Sequence, residues 1–506
     1  MSRTTPTPAV VCRALSFAWP DGSPVVDGLD VTFDTGRTGL IGDNGTGKST
    51  LLRLVAGRLR PTSGTVATAG EVGYLPQTLP LRTGATVSDL LGITARRRAI
   101  AAVEAGDVSA IETVGDDWLV EERAATQLER LGLPTELDRT VGTLSGGEAV
   151  LTGLAALLLD PPEITLLDEP TNNLDAPARQ RLHAAVDEWP GVLVIVSHDR
   201  ELLEHVDRIA ELRDGAVRTF TGTFSAYEAA LRAEQEAAQR MVRVAEADVR
   251  REQRQVIEAQ TKLARRERYA HTDYVNKRKP KIIMNARARE AQVSAGKHRI
   301  MQAEKLAGAR ETLRTAESQV RDDHRIRVEL PATAVPAGRT VLELGGRTVR
   351  GPERIGLVGR NGSGKTTLLR AAVAAATVPV GYLPQRLELD GSRRVLDIVR
   401  DAAPSATPQQ VRAGLARFLV RGDQVDRTAS TLSGGERFRV CLASVLLADP
   451  APQLLLLDEP TNNLDLASIE QLVDALAGYR GALVVASHDE RLLRDVGVGR
   501  YWEAGT

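Results

Sequence analysis

The 506-residue chain carries one ordered set of motifs twice. GDNGTGKST, Gly42 to Thr50, returns as GRNGSGKTT, Gly359 to Thr367. YLPQ at Tyr74 returns at Tyr382, LSGGE at Leu144 returns at Leu432, LLDEPTNNLD at Leu166 returns at Leu456, and SHD at Ser197 returns at Ser487. The spacing repeats too: 30 residues separate Asp168 from His198, and 30 separate Asp458 from His488. An internal repeat constrains the fold before any single element is assigned, and this one predicts two copies of one domain.

Each copy opens its chemistry with a glycine-rich loop. GxxxxGK[ST] follows an apolar run, TGLIG or RIGLVG, and precedes an apolar helix, TLLRLVAG or TLLRAAV. Strand, loop, helix is the context of a phosphate-binding loop. The loop residues Gly42, Asn44, Gly45, Gly47 and Thr50, with Gly359, Asn361, Gly362, Gly364 and Thr367, are expected to turn backbone N–H groups and a helix N-terminus towards phosphates. Lys48 and Lys365 are expected to reach the β- and γ-phosphates, and the Ser49 and Thr366 hydroxyls to ligate Mg²⁺.

PEITLLDEP and PQLLLLDEP are unbroken apolar runs, as buried parallel strands are, and each ends in an acidic pair. Asp168 and Asp458 are placed to hold Mg²⁺, and Glu169 and Glu459 to polarise an attacking water. A second apolar strand, VLVIV or ALVVA, ends at His198 or His488, which brings an imidazole towards the γ-phosphate.

Bulk properties exclude several classes. A formal net charge of −1 rules out a globally basic nucleic-acid binder, so a polyanion must be met by a local patch. Two cysteines, Cys12 and Cys441, without CxxC spacing argue against a disulfide framework or zinc site and suit a reducing cytoplasm. No window approaches the roughly 18 apolar residues of a membrane span, and the N-terminus lacks a secretory apolar region.

Lysine usage locates the patch. Of eight lysines, six lie between Lys262 and Lys305, and the other two are Lys48 and Lys365. Residues 226–325 are rich in Ala, Glu, Arg and Gln with no proline or glycine before Pro280, which predicts two long helices forming an antiparallel hairpin. Thr261 to Ile300 holds twelve basic residues against three acidic, a local +9, interleaved with Tyr269, His271, Tyr274, Ile282, Ile283 and Met284. Flexible cations beside apolar wedges suit the backbone and irregular loops of folded RNA. Arg265, Arg266, Arg268, Tyr269, Lys277, Arg278, Lys279, Lys281, Arg287 and Arg289 are the candidate RNA contacts.

Phosphate loop, Gln77 and Gln385, LSGGE, LLDEP, the LD pairs Leu174-Asp175 and Leu464-Asp465, and the SHD histidines together resemble the ATP-binding-cassette ATPases. The resemblance covers both halves and implies head-to-tail cassettes within a monomer. Each ATP would lie between one phosphate loop and the other copy's signature motif: Lys48 with Ser433, Gly434 and Gly435, and Lys365 with Ser145, Gly146 and Gly147. It also implies Gln77 and Gln385 near Mg²⁺, and an aromatic ring on adenine. SFAWPDG makes Trp19 that ring, with Phe17 second, whereas VELPATAVPAGRTVLEL offers the second copy none.

Tandem cassettes around a basic helical linker are similar to the ABC-F group. The implied architecture is an α/β chain of two cassettes, 1–225 and 326–506, joined by the helical hairpin. The implied role is a cytoplasmic ATPase on the ribosome, the linker reaching large-subunit rRNA and P-site tRNA near the peptidyl-transferase centre. Members serve as translation factors or displace antibiotics. TNNLD places Asn173 and Asn463 where many relatives have histidine, and only 68 residues separate Gln77 from Ser145, leaving little room for an inserted arm; this favours the resistance branch. A drug-exporter energy module and a DNA-processing ATPase are the competing readings; neither calls for the basic segment at 261–300.

Overall fold

The computed structural model describes residues 8–77, 84–172, 174–275, 281–320, 326, 328–462 and 464–505. Contacts divide the chain into two compact units, one of Met1–Ser225 with His324–Thr506 and one of Ala226–Asp323.

In the first copy the strands are β1 (Pro8–Ala18), β2 (Pro24–Asp34), β3 (Gly36–Ile41), β4 (Ser63–Thr68), β5 (Val72–Leu75), β6 (Ile164–Asp168), β7 (Val192–Val196), β8 (Arg208–Arg213) and β9 (Ala216–Thr221). An antiparallel sheet of order β2-β1-β4 packs with a larger sheet of order β5-β6-β7-β3-β8-β9. The larger sheet is parallel except for the β8–β9 hairpin. Every residue of β6 and β7 is buried, because helices cover a parallel sheet on both faces; hence their unbroken apolar sequences.

Strand order decides what meets at the sheet edge. β7 lies between β6 and β3, with Asp168 opposite Val196 and Leu40 opposite Val196 in register. The phosphate loop after β3, the acids after β6 and the histidine after β7 therefore emerge side by side at the carboxyl ends of the strands, where open α/β sheets bind ligands.

The second copy repeats this with fewer strands: β10 (Thr340–Leu344), β11 (Arg347–Arg350), β12 (Arg354–Val358), β13 (Val380–Leu383), β14 (Leu454–Asp458), β15 (Ala482–Ala486) and β16 (Arg500–Glu503). Its parallel sheet has the order β13-β14-β15-β12-β16, and β10-β11 is a two-stranded antiparallel pair. Among the described residues, nothing in the second copy corresponds to the third strand of the first copy's smaller sheet. Phe418, Phe438 and Tyr479 fill its core.

The second unit consists of long helices. One helix runs Phe224–Val275 over 52 residues and another Lys281–Gln319 over 39 residues. The first runs unbroken because no proline or glycine interrupts i→i−4 bonding before Pro280. Phe224, Tyr227, Ala238, Ala245 and Val249 are buried on it, while Arg232–Glu228, Arg240–Glu236 and Arg250–Glu246 ion pairs run along its surface at i,i+4 spacing.

Candidate active site

The two phosphate loops are held by backbone that only glycine supplies cheaply. Gly42 has φ 152°, and a Cβ there would stand 2.4 Å from the Leu212 carbonyl oxygen. Gly47 starts the helix Lys48–Val55 at φ 98°, and Gly364 starts Lys365–Ala375 at φ 88°. Gly45, Gly359 and Gly362 also have positive φ. Lys48 is buried and donates to the Gly42 and Asp43 carbonyls at 2.6 and 2.8 Å; Lys365 donates to the Gly359 carbonyl at 2.8 Å and lies 2.6 Å from His488 Nε2. Thr50 is buried and Thr367 exposed, one of several places where the two copies differ.

Across each loop stands the carboxylate that ends β6 or β14. Ser49 Oγ donates to Asp168 Oδ1 at 2.8 Å, and Tyr74 Oη to Asp168 Oδ2 at 3.0 Å. In the second copy Tyr382 Oη donates to Asp458 Oδ2 at 3.3 Å, and the Thr366 side chain acts to lower the same carboxyl. Both aspartates are 1% exposed, and burial pushes both upward against these hydrogen bonds. Asp458 Oδ1 is buried with no hydrogen-bond partner. A hydroxyl and a buried carboxylate with a spare oxygen are the hard oxygen donors that Mg²⁺ takes.

The adjoining glutamates sit in strained backbone. Glu169 has φ 50° and Glu459 has φ 44°, a left-handed conformation that costs a non-glycine residue about 1–3 kcal/mol. Each is hooked across the sheet: Glu169 N donates to the Val196 carbonyl and Glu459 N to that of Ala486, both at 2.8 Å. The turn aims each carboxylate at the neighbouring histidine. His198 Nε2 lies 3.1 Å from Glu169 Oε1, and His488 Nε2 lies 3.3 Å from Glu459 Oε1. Burial favours neutral forms at both ends of the first contact, pushing Glu169 up to about 8 and His198 down to about 3.

The signature motifs start helices Gly146–Leu159 and Gly434–Leu446. Ser145 and Glu148 form a reciprocal capping box, as do Ser433 and Glu436, so the glutamate of LSGGE satisfies the helix start. The S-x-x-E spacing carried that signal in the sequence. Ser145, Gly146, Ser433 and Gly434 are exposed at these N-termini.

The copies meet at the first site. Asn44 N donates to Asp465 Oδ2 at 2.8 Å, and a Cβ built on Gly434 would lie 3.9 Å from Asn44 Nδ2. A cavity of about 270 Å³ is lined by Asn44, Gln77, Glu169 and His198 from the first copy and by Thr461, Asn462 and Leu464 from the second. Arg200 of the first copy pairs with Asp495 of the second at 3.3 Å. Neither Asp465 nor the tyrosines Tyr74 and Tyr382 was assigned a role from the sequence, although the tyrosines begin the repeated YLPQ.

Other candidates are placed less tightly. Trp19 is 39% exposed on a turn closed by its N–H to the Ser23 carbonyl, and Phe17 is buried beneath it in edge contact at 5.1 Å, which leaves Trp19 as the ring available to a ligand. Gln385 is exposed. Arg265 and Arg268 are exposed on the first long helix; Arg266 and Tyr269 lie on the same helix, and Lys281, Arg287 and Arg289 on the second. Lys277, Arg278, Lys279, Asn173 and Asn463 lie outside the described residues.

The ABC transporter family model matches residues 26–172 and 347–462, the loop-to-acid core of both copies. The chain belongs to the ATP-binding-cassette family. It is a tandem-cassette ATPase of the ABC-F type, and its cassettes bind ATP. The tylosin resistance ATP-binding protein TlrC of Streptomyces fradiae is 32% identical across 97% of this chain and 96% of its own length. The energy-dependent translational throttle protein EttA of Mycobacterium tuberculosis is 29% identical across 93% of this chain and 87% of its own. Among solved structures, the archaeal ribosome recycling factor aABCE1, crystallised with the ribosomal stalk protein aP1, has a TM-score of 0.55 at 19% identity over 97% of this chain and 88% of that chain, a likeness of fold. No helix among the described residues is long and apolar enough to cross a membrane.

Proposed function

We propose that this cassette ATPase is a cytoplasmic ribosome-binding factor that protects the ribosome from an antibiotic acting near the peptidyl-transferase centre. The carrying observation is end-to-end similarity to a tylosin resistance protein, joined to a +9 window at 261–300, whose described residues lie on two long helices. EttA and the aABCE1 fold support the ribosome as partner. The basic window supports contact with large-subunit rRNA and P-site tRNA through the ten candidates from Arg265 to Arg289, because it carries a net +9 while the whole chain is nearly neutral.

In this reading the loop glycines and Lys48 or Lys365 hold the triphosphate, and Trp19 stacks on one adenine. Ser49 with Asp168, and Thr366 with Asp458, would hold Mg²⁺, with Gln77 and Gln385 adjacent. When bound, Mg²⁺ would supply positive charge against the triphosphate. Glu169 and Glu459 accept the proton of the attacking water in their ionised forms, which the ammonium groups of Lys48 and Lys365 favour against burial, and His198 and His488 orient these carboxylates. The signature N-terminus of the opposite cassette, Ser433 to Gly435 or Ser145 to Gly147, adds backbone donors and a positive helix end. ATP thus joins the cassettes and hydrolysis parts them.

The test uses Glu169→Gln with Glu459→Gln, which should retain ATP without turnover. Co-sedimentation with ribosomes in ATP, lost on deleting residues 265–290, and restored translation in the presence of tylosin are the expected results. Sedimentation with membranes would reject the reading. Ribosome binding without drug protection would support instead a translation factor, the reading that similarity to EttA favours.

A further inference from the structure

The two copies differ at two loci that belong to one ATP site. Asp43 of GDNGTGKST stands where the second copy has Arg360, and Arg439 of LSGGERFR stands where the first copy has Leu151 of LSGGEAVL. Head-to-tail pairing brings the loop of the first copy to the signature helix of the second, so Asp43 and Arg439 share a site with Lys48. At the other site an arginine at 151 would approach Arg360 with like charge. The chain has leucine there, 2% exposed in its own cassette's core.

The geometry shows what Arg439 reaches. A Cβ on Gly435 would stand 3.7 Å from Arg439 Nη1, so the guanidinium folds back along its helix to the signature glycines; a Cβ on the adjoining Gly434 would lie 3.9 Å from Asn44 Nδ2. Asp465, which accepts from Asn44 N, also caps its own helix by accepting from Ser468 N at 2.9 Å. Burial lowers the Arg439 guanidinium, and Glu436, then Asp465, then Asp43 oppose that by charge; its Nε is buried with no hydrogen-bond partner. One cation therefore lies in the field of carboxylates of both cassettes where the loop meets the signature helix. Such charge pairs fix register and partner choice across an interface.

We infer that Arg439 is a positioning residue acting in trans, which holds the first cassette's phosphate loop through Asp43 and Asp465 and makes the Lys48 site the tighter-closing of the two. The inference rests on the pairing of Lys48 with the second signature motif proposed above.

Each site is read alone by silencing the other. Glu459→Gln leaves turnover at the Lys48 site, and Glu169→Gln leaves it at the Lys365 site. In the first background Arg439→Leu should lower kcat/KM for MgATP about tenfold, mostly through KM, while in the second it should change it less than about twofold. Arg439→Lys should recover part of the loss. Asp43→Asn should weaken the first background as well, and the double variant should be no worse than Arg439→Leu alone, as coupled residues behave. Equal losses in both backgrounds, or independent multiplication of the two effects, would overturn the inference and leave Arg439 a partner of Glu436 within its helix. If Arg439→Leu does not fold, the same cycle is run with Arg439→Lys. Lys48→Ala in the first background separates the two levels: surviving turnover there refutes the site assignment itself, whereas its loss beside an unaffected Arg439→Leu refutes only the role of Arg439.

Discussion

The Asn44 amide of the first phosphate loop donates to Asp465 Oδ2 of the second cassette at 2.8 Å, across 421 residues of sequence. Asp465 is 6% exposed; burial pushes its carboxyl up, but hydrogen bonds from Ser468 and Asn44 outweigh this and hold it below the ordinary range. One charged acceptor thus terminates a helix and grips the opposite loop.

Asp465→Ala removes both contacts. Losing a charge-assisted bond of about 1.5–3 kcal/mol at the interface should lower ATP turnover at the Lys48 site roughly tenfold or more. Steady-state ATPase in the Glu459→Gln background measures it, and the cap loss should appear separately as a lower melting temperature.

Tyr74→Phe removes one donor to Asp168 while keeping the ring. The expected cost is about 1 kcal/mol in stability, with Mg²⁺ dependence of ATP binding shifted at the Lys48 site and unchanged at the other. Calorimetric titration of ATP at graded Mg²⁺, beside the matched Tyr382→Phe, checks both statements.

Trp19→Ala should weaken ATP at the first site by about 1–3 kcal/mol, the scale of base stacking on an aromatic ring. Its edge contact with Phe17 holds the ring on the exposed turn. Nucleotide titration of the variant checks it; unchanged affinity would remove Trp19 from the role.

Glu201 gives a pH dependence at the cassette interface. Its carboxyl is pushed up to about 7, by burial first and then by Asp199, Glu490 and Asp489, with Arg179 opposing. A carboxyl whose folded pKa lies above its unfolded value of 4.5 keeps its proton longer in the fold, so stability is lost as pH rises from about 4.5 to about 7. Glu201→Gln should therefore gain about 1 kcal/mol over the parent at pH 8, a figure reduced for partial exposure, and nothing near pH 4. Melting curves at the two pH values check the sign.

The sequence by itself determined whatever lies within one contiguous stretch. Glycine spacing, apolar runs ending in DE, and a helix start at SGGE are local patterns whose backbone demands are met by the same few residues, and their repetition defined the two cassettes and the linker. It also located the basic window, since charge is countable without coordinates. Only the tertiary structure decided what strand order and cassette pairing bring together: Tyr74 on Asp168, Asp465 under Asn44, Arg439 folded over Gly435, and Phe17 buried while Trp19 stays exposed. The left-handed turns at Glu169 and Glu459 belong to the same class, because each is stabilised by an amide bonded to a neighbouring strand. These contacts join residues whose separation along the chain carries no information about distance, and their free energy exists only once the parallel sheets and the interface between cassettes have formed.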